Sequence, residues 1–318
     1  MPHTFDLLVI GDANPDIVLG PLDAPLAFGQ REQLVDTGVL TLGGSGAIMA
    51  CGAARLGLSV AFTGRVGDDD AGRFVRAALT DRGVNTDALV SDPELSTPLT
   101  AVVTAGDDRA ILTAPGTLGA TRGDDIPEAL LADCRHVHAA SYFLMPKLAA
   151  ALPGLLLTAR GHGATTSLDT NDDPSGQWRS AALDEVLAVT DILLPNAREA
   201  RALAGPPAGS LADAAARLAA LGPLVVVKDG ADGALAHDGG SLSRTRAIAV
   251  RPVDTVGAGD SFDAGFVAAV LAGLPTARAL ELAAVCGALS TRAHGGTAAQ
   301  PTWDEAVAAV THNGENHS

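Results

Sequence analysis

Between positions 254 and 265 the chain reads DTVGAGDSFDAG. Gly257, Ala258 and Gly259 have little or no side chain, so they leave backbone amides unobstructed at the start of an apolar helical stretch from Ser261 to Ala272. Amide donors and the positive end of a helix dipole converging there suit an anion, and phosphate is the natural guest. Asp260 stands at the rim of that cradle. A second negative group beside a phosphate repels it unless the carboxylate has a chemical task, such as taking the proton of a hydroxyl that attacks the terminal phosphoryl group. The same residues also read as a glycine-rich turn with Asp260 at a helix cap.

Two further stretches complete a pattern. GGSGAIMACGAARLG begins at Gly43 and GRVGDDDAG at Gly64, about two hundred residues before DTVGAGDSFDAGF. In this order and at this spacing the chain resembles the ribokinase-type (PfkB-type) carbohydrate kinases over nearly its whole length. The resemblance implies an ATP-dependent phosphotransferase that phosphorylates a hydroxymethyl group of a sugar or sugar derivative. Asp260 would be the catalytic acid–base residue, and the amides of Gly257, Ala258 and Gly259 the phosphoryl cradle. A nucleoside kinase of the same fold, or a sugar- or nucleotide-binding regulator without catalysis, are the alternatives; the intact GAGD run argues against the regulator.

Composition fits a cytoplasmic enzyme. Lys and Arg number 21 against 37 Asp and Glu, a net charge of −16, which speaks against nucleic acid or an anionic membrane as partner. An ATP site in such a chain must rely on amides, a few cations and Mg²⁺. Cys51, Cys134 and Cys286 lie in apolar segments without metal-ligand spacing and are expected as buried, reduced thiols. The N-terminal MPHTFDLLVIGD lacks the pattern of a signal peptide, and no apolar run reaches the ~18 residues of a membrane span.

Short apolar runs alternate with Ala-rich helical segments. Strands are expected at Asp6–Ile10, Ser59–Thr63, His136–Ala139, Thr165–Asp169, Asp191–Leu194 and Leu224–Lys228, and helices at Gly46–Leu56, Ala71–Arg82, Leu148–Gly161, Leu211–Leu221, Gly259–Ala272 and Ala277–Arg292. Strands too apolar to have a wet face belong to a parallel sheet covered on both sides. The fold class is α/β, a three-layer doubly wound, mostly parallel sheet in a single domain over residues 1–312, with 313–318 as a mobile tail. Lid strands interrupt the rhythm at about 17–42 and 99–113, the second pair turning at Gly106-Asp107-Asp108. By resemblance this is a small β-sheet lid that closes over the sugar and pairs with that of a second subunit as a homodimer.

The remaining candidate residues fall at the ends of expected strands, where open α/β sheets bind ligands. Asn14 and Asp16 follow the first strand. A short carboxylate accepts from two vicinal hydroxyls at once, and the family's N-x-D motif implies Asp16 as polyol ligand with Asn14 beside it. Gly43, Gly44 and Ser45 open the next helix and admit the substrate closely. Here the chain departs from ribokinases, which carry Lys at Ser45, while much of the family carries a sugar-binding Asn at Ile48; free ribose is therefore not the expected acceptor. Asp169 and Asn171 resemble the family's Asp-x-Asn. Asn196 and Glu199 match its N-x-x-E, which implies Mg²⁺ held by Glu199 through water; a helix cap with an acid in its first turn is the alternative, and the position at a strand's carboxyl end favours function. Lys228, Gly230 and Gly233 resemble the glycine turn near the ATP phosphates, and the helix at 277–292 should border adenine. The resemblance also implies a monovalent cation, K⁺, at Asp254 and the Val256 carbonyl.

Overall fold

The computed structural model describes residues 3–106, 108–207 and 209–315. Its central layer is a nine-stranded sheet in which β1 (Phe5–Ile10) lies between β8 (Cys134–Ala139) and β4 (Val60–Gly67). On one side β4 is followed by β5 (Leu89–Asp92); on the other, β8 is followed by β9 (Thr165–Leu168), β10 (Ile192–Leu193) and β11 (Leu224–Lys228), all parallel. The chain thus leaves β1 first in one direction and later in the other. That reversal makes β1 the switch point, and the crevice beyond its carboxyl end is where an open α/β sheet takes ligands. Two antiparallel strands, β12 (Ala234–His237) and β13 (Leu242–Thr245), extend the far edge.

Successive strand residues point to opposite faces, and both faces are covered. Leu7 and Val9 of β1 pack with α1 (Ser45–Arg55), α2 (Asp70–Thr80), α8 (Ala258–Leu271), α9 (Thr276–Ser290) and α10 (Trp303–Glu315). Leu8 and Ile10 pack with α3 (Glu128–Ala132), α4 (Pro146–Gly161), α5 (Ala181–Leu187), α6 (Ala197–Ala204) and α7 (Leu211–Ala219). This three-layer α/β architecture is the expected one. One polar chain crosses the α8-side layer: His136 sits between Thr165 Oγ1 and Ser167 Oγ, both 2.7 Å away, and Ser167 Oγ also meets His138 Nδ1 at 2.8 Å. His138 Nε2 is buried without a hydrogen-bond partner among the described residues.

The second sheet is the lid, in the order β3 (Thr37–Gly43), β2 (Asn14–Gly20), β6 (Leu99–Ala105) and β7 (Asp108–Ala114). It is wider than the expected 17–42, because pairing begins at Asn14 with Gly43. Asn14 and Asp16 are therefore residues of the second sheet. Between β6 and β7, Asp107 of the expected turn lies outside the described residues. Leu40, Ile111 and Leu112 of the lid are more than half exposed.

At the C-terminus α10 continues to Glu315, where a tail was expected from 313; 316–318 lie outside the described residues. Thr302 and Glu305 start this helix as a reciprocal cap, the Thr302 amide donating to Glu305 Oε2 and the Glu305 amide to Thr302 Oγ1. No helix among the described residues is long and apolar enough to cross a membrane.

Candidate active site

Gly257 occupies the left-handed region (φ 72°) as the cap of α8. A Cβ there would come within 2.6 Å of Gly296 Cα and 2.9 Å of Ile48 Cγ2, so only glycine fits. The turn delivers Ala258 and Gly259 into the first turn of α8, whose leading amides have no acceptor inside the helix. Asp260 completes that turn, and its Oδ1 accepts a short hydrogen bond from Ser45 Oγ at the start of α1. Burial, then the nearby Asp169 and Asp12 charges, push the Asp260 carboxyl up to about 7 against the opposing effects of Ser45 and Lys228. A carboxyl poised there exchanges a proton near neutral pH, as a general base must.

On one side of this turn lies a cluster of buried acids. Asp12, just past β1, accepts from the amides of Ser45 (3.2 Å) and Gly46 (3.0 Å) and from Ser141 Oγ (2.8 Å), so it caps α1 from outside the helix. Asp16 is buried against Gly43, where any Cβ would fall 2.0 Å from Asp16 Oδ1. Asn14 Nδ2 donates to Asp16 Oδ1 at 2.7 Å. Burial raises Asp16 to about 7, helped by the Asp12 and Asp254 charges. Asn171, with φ +55°, accepts from the Ser141 amide and donates its own amide to Asp169 Oδ1. The ends of β1, β8 and β9 are thereby tied together beneath this cluster.

On the other side is an apolar cavity of about 590 Å³, lined by Gly230 and Gly233 after β11, Ile248 and Val250, and Ala284 and Ala288 of α9. Lys228 and Gly259 stand at its floor. Ala284, Gly287, Ala288 and Thr291 fall within the helix expected to border adenine.

Lys228 is engaged inside the protein and does not stand free for phosphate. Its Nζ lies 2.7 Å from Asp169 Oδ2 and 3.0 Å from both oxygens of Asp263. Burial pushes Asp263 well above the usual carboxylate range, with the Asp169 carboxylate alongside. Burial also acts on Asp169, but the Lys228 charge and hydrogen bonds from Asp263 and Lys228 outweigh it and hold Asp169 low. The ammonium thus meets one carboxyl held low and one pushed up, which limits the negative charge buried beside it.

Asn196 and Glu199 form a reciprocal cap on α6. The Glu199 amide donates to Asn196 Oδ1 at 2.9 Å, while the Asn196 amide donates to Glu199 Oε2 at 2.8 Å and Asn196 Nδ2 to Oε1. The cap reading is thus realised, and it does not exhaust the residue. Burial, with Asp169 nearby, pushes Glu199 up to about 7, and each of its oxygens keeps a second lone pair. A carboxylate with free lone pairs fits a hydrated divalent cation held through water. Asp254 accepts from the Val256 and Gly295 amides, both at 2.9 Å, and so joins the segment before the cradle to the loop behind it.

The chain matches the pfkB family carbohydrate kinases over residues 4–303. The chain belongs to that family. An ATP-dependent ribose-1-phosphate kinase of Halopiger xanaduensis is 34% identical over 307 residues, covering 95% of this chain and 97% of that one. A fructokinase of Klebsiella pneumoniae is 32% identical over 279 residues, covering 83% and 90%. Among solved structures, Arabidopsis thaliana ribokinase complexed with ribose and ATP superposes with a TM-score of 0.83 at 26% identity, over 98% and 99% of the two chains.

In this carbohydrate kinase, residues expected from the sequence gather at one edge of the sheet: Asn14, Asp16, Gly43, Gly44 and Ser45 toward the acid cluster, Asp169 and Asn171 beneath it, and Lys228, Gly230 and Gly233 toward the cavity. Asp12, Ser141, Asp263 and Gln300 were not singled out. Asp263 follows Asp260 by one helical turn, and that spacing is a readable signal. Gln300, whose Nε2 donates to the Ile48 carbonyl and Ser261 Oγ, has none, since it arrives from 252 residues away. The three cysteines are free and buried, and burial pushes each thiol up to about 12.

Proposed function

We propose that this kinase transfers the γ-phosphoryl group of ATP to the hydroxymethyl group of a sugar or sugar derivative, with Asp260 as the general base. The observation that carries the reading is the position of Asp260: on the first turn of α8, between an apolar cavity of about 590 Å³ and a cluster of buried hydrogen-bond acceptors. The cavity receives adenine, and the amides of Gly257 to Asp260 meet the phosphoryl group as charge develops on it. Asp16 and Asn14 hold ring hydroxyls, so that the hydroxymethyl group reaches Asp260, which takes its proton as the O–P bond forms. Mg²⁺ held through water at Glu199 supplies charge neutralisation to the nucleotide phosphates. A monovalent cation at Asp254 and the Val256 carbonyl would strengthen the cradle from behind.

Ile48 defines the acceptor further. Its side chain abuts Gly257 and Gly296, an apolar surface where a polar ligand would otherwise meet the sugar. Free ribose should therefore be a poor acceptor. Exposed Leu40, Ile111 and Leu112 make the lid a surface for a second copy, which equilibrium sedimentation of wild type and Ile111→Lys tests: a monomeric wild type sinks that part of the reading. The activity itself is tested by ADP release across free sugars, sugar phosphates including ribose 1-phosphate, and nucleosides. Acceptor-dependent release with a sugar or its derivative is expected; release with nucleosides alone would reassign the acceptor class.

A further inference from the structure

We infer that Ser45 is a positioning residue for Asp260, and that Asp12 holds Ser45 in place to do so. The inference rests on the reading of Asp260 as the base. Ser45 opens α1 but does not cap its own helix: its hydroxyl crosses to α8 and donates to Asp260 Oδ1, a partner 215 residues away in the chain. The backbone of Ser45 is fixed from the opposite side, because Asp12 accepts from its amide and from that of Gly46. Asp12 is in turn anchored by Ser141, itself bound to Asn171. One line of hydrogen bonds thus runs from the end of β1 through the start of α1 to the carboxylate on α8.

The consequence is geometric. With Oδ1 accepting from the Ser45 hydroxyl, whose backbone is held by Asp12, one oxygen of the Asp260 carboxylate is engaged and Oδ2 is left for the acceptor hydroxyl. A base must sit within hydrogen-bond reach of the proton it removes, and a misaligned carboxylate loses rate without losing substrate. The line also affects ionisation. The titratable groups facing Asp260 are Asp12 beyond β1, Asp169 beyond β9, Lys228 on β11 and Asp263 on α8 itself. Among the described residues the Ser45 side chain donates a hydrogen bond to Asp260, and a donor to a carboxylate favours the ionised form. The position is one where this chain departs from the ribokinases, so the contact belongs to this chain's own sequence.

The experiment compares wild type, Ser45→Ala, Ser45→Thr, Asp260→Asn and the double variant Ser45→Ala/Asp260→Asn, with kcat, KM for ATP and the pH–rate profile measured for each. Ser45→Ala should lower kcat by about 10- to 100-fold with the KM for ATP within about twofold, and should move the acid limb of the profile up by about one pH unit. Ser45→Thr, which keeps the hydroxyl, should restore most of the rate. In the Asp260→Asn background the Ser45→Ala change should cost less than about twofold, since it would act through a group already lost. An inactive Asp260→Asn beside a fully active Ser45→Ala, or equal losses in both backgrounds, would overturn the positioning role alone. An active Asp260→Asn would instead remove the base assignment on which it rests.

Discussion

Removing the Lys228 ammonium should destabilise the kinase, and by an amount that depends on pH in a direction the cluster dictates. Only 11% of the Lys228 side chain is exposed, against 4% for Asp169 and 1% for Asp263. Lys228→Met keeps the aliphatic stem and deletes the charge that offsets Asp169 beside buried Asp263. Losing one partner of a buried ion pair costs about 3–5 kcal/mol. In the wild type Asp169 is held below its ordinary value, so above about pH 4 both folded and unfolded states keep it ionised and it adds no slope. Without Lys228 its folded pKa rises above the unfolded ~3.9, and folding must then take up a proton. From there up to the raised folded value, the variant loses about 1.4 kcal/mol of stability per pH unit relative to wild type. Urea denaturation at pH 5 and pH 7 measures this: the deficit should be larger at pH 7 by about 2–3 kcal/mol, and Lys228→Met/Asp169→Asn should recover much of it. A deficit below about 1 kcal/mol, or one equal at both pH values, would refute the charge assignment.

Three further outcomes follow from the same geometry. Burial holds His136 down to about 3 and His138 to about 4, so both stay neutral in the fold while the unfolded chain protonates them near 6.5; stability should fall as pH drops from about 6.5 to 4, and His136→Gln/His138→Gln should flatten that slope in denaturation curves. Glu199→Gln should shift the Mg²⁺ dependence of turnover while leaving acceptor KM within about twofold; a change confined to acceptor KM would place Glu199 on the sugar side. Ile48→Asn should weaken the preferred acceptor and improve ribose-like ones in kcat/KM, and Asp16→Ala should cost about 1–3 kcal/mol or more in acceptor selectivity, whereas a silent Asp16→Ala would dissolve the sugar-site map.

The parallel core was legible because β1 and β11 are near-continuous apolar runs and the other parallel strands are short segments spaced between Ala-rich helices, a rhythm that leaves few architectures open. Edge elements gave weaker signals. β13 reads LSRT, with no apolar face to mark it, and β12 pairs with β11 only once the chain has turned back. α10 was readable from Thr302 and Glu305 as a capping pair and from its spacing of apolar residues, but the polar end concealed it. In the site, types and order were enough to gather Asp16, Ser45, Asp169 and Asp260 at one sheet edge. Partners were not legible. Whether Lys228 faces phosphate or two carboxylates depends on where α8 crosses β11, and whether Ser45 faces solvent or Asp260 depends on how α1 packs on α8; local sequence encodes neither distance.

The central claim is that Asp260 removes the proton of the acceptor hydroxyl. Asp260→Asn keeps the size of the side chain and its hydrogen-bonding capacity toward Ser45 while removing the proton acceptor. Steady-state turnover with the preferred acceptor, alongside ATP binding by calorimetry, reads both halves of the claim. ATP affinity should stay within about threefold of wild type and kcat should fall by about 10²- to 10⁴-fold, with the ionisation near pH 7 gone from what activity remains. An Asn variant that turns over within a few-fold of wild type, with the same acid limb, would contradict the claim.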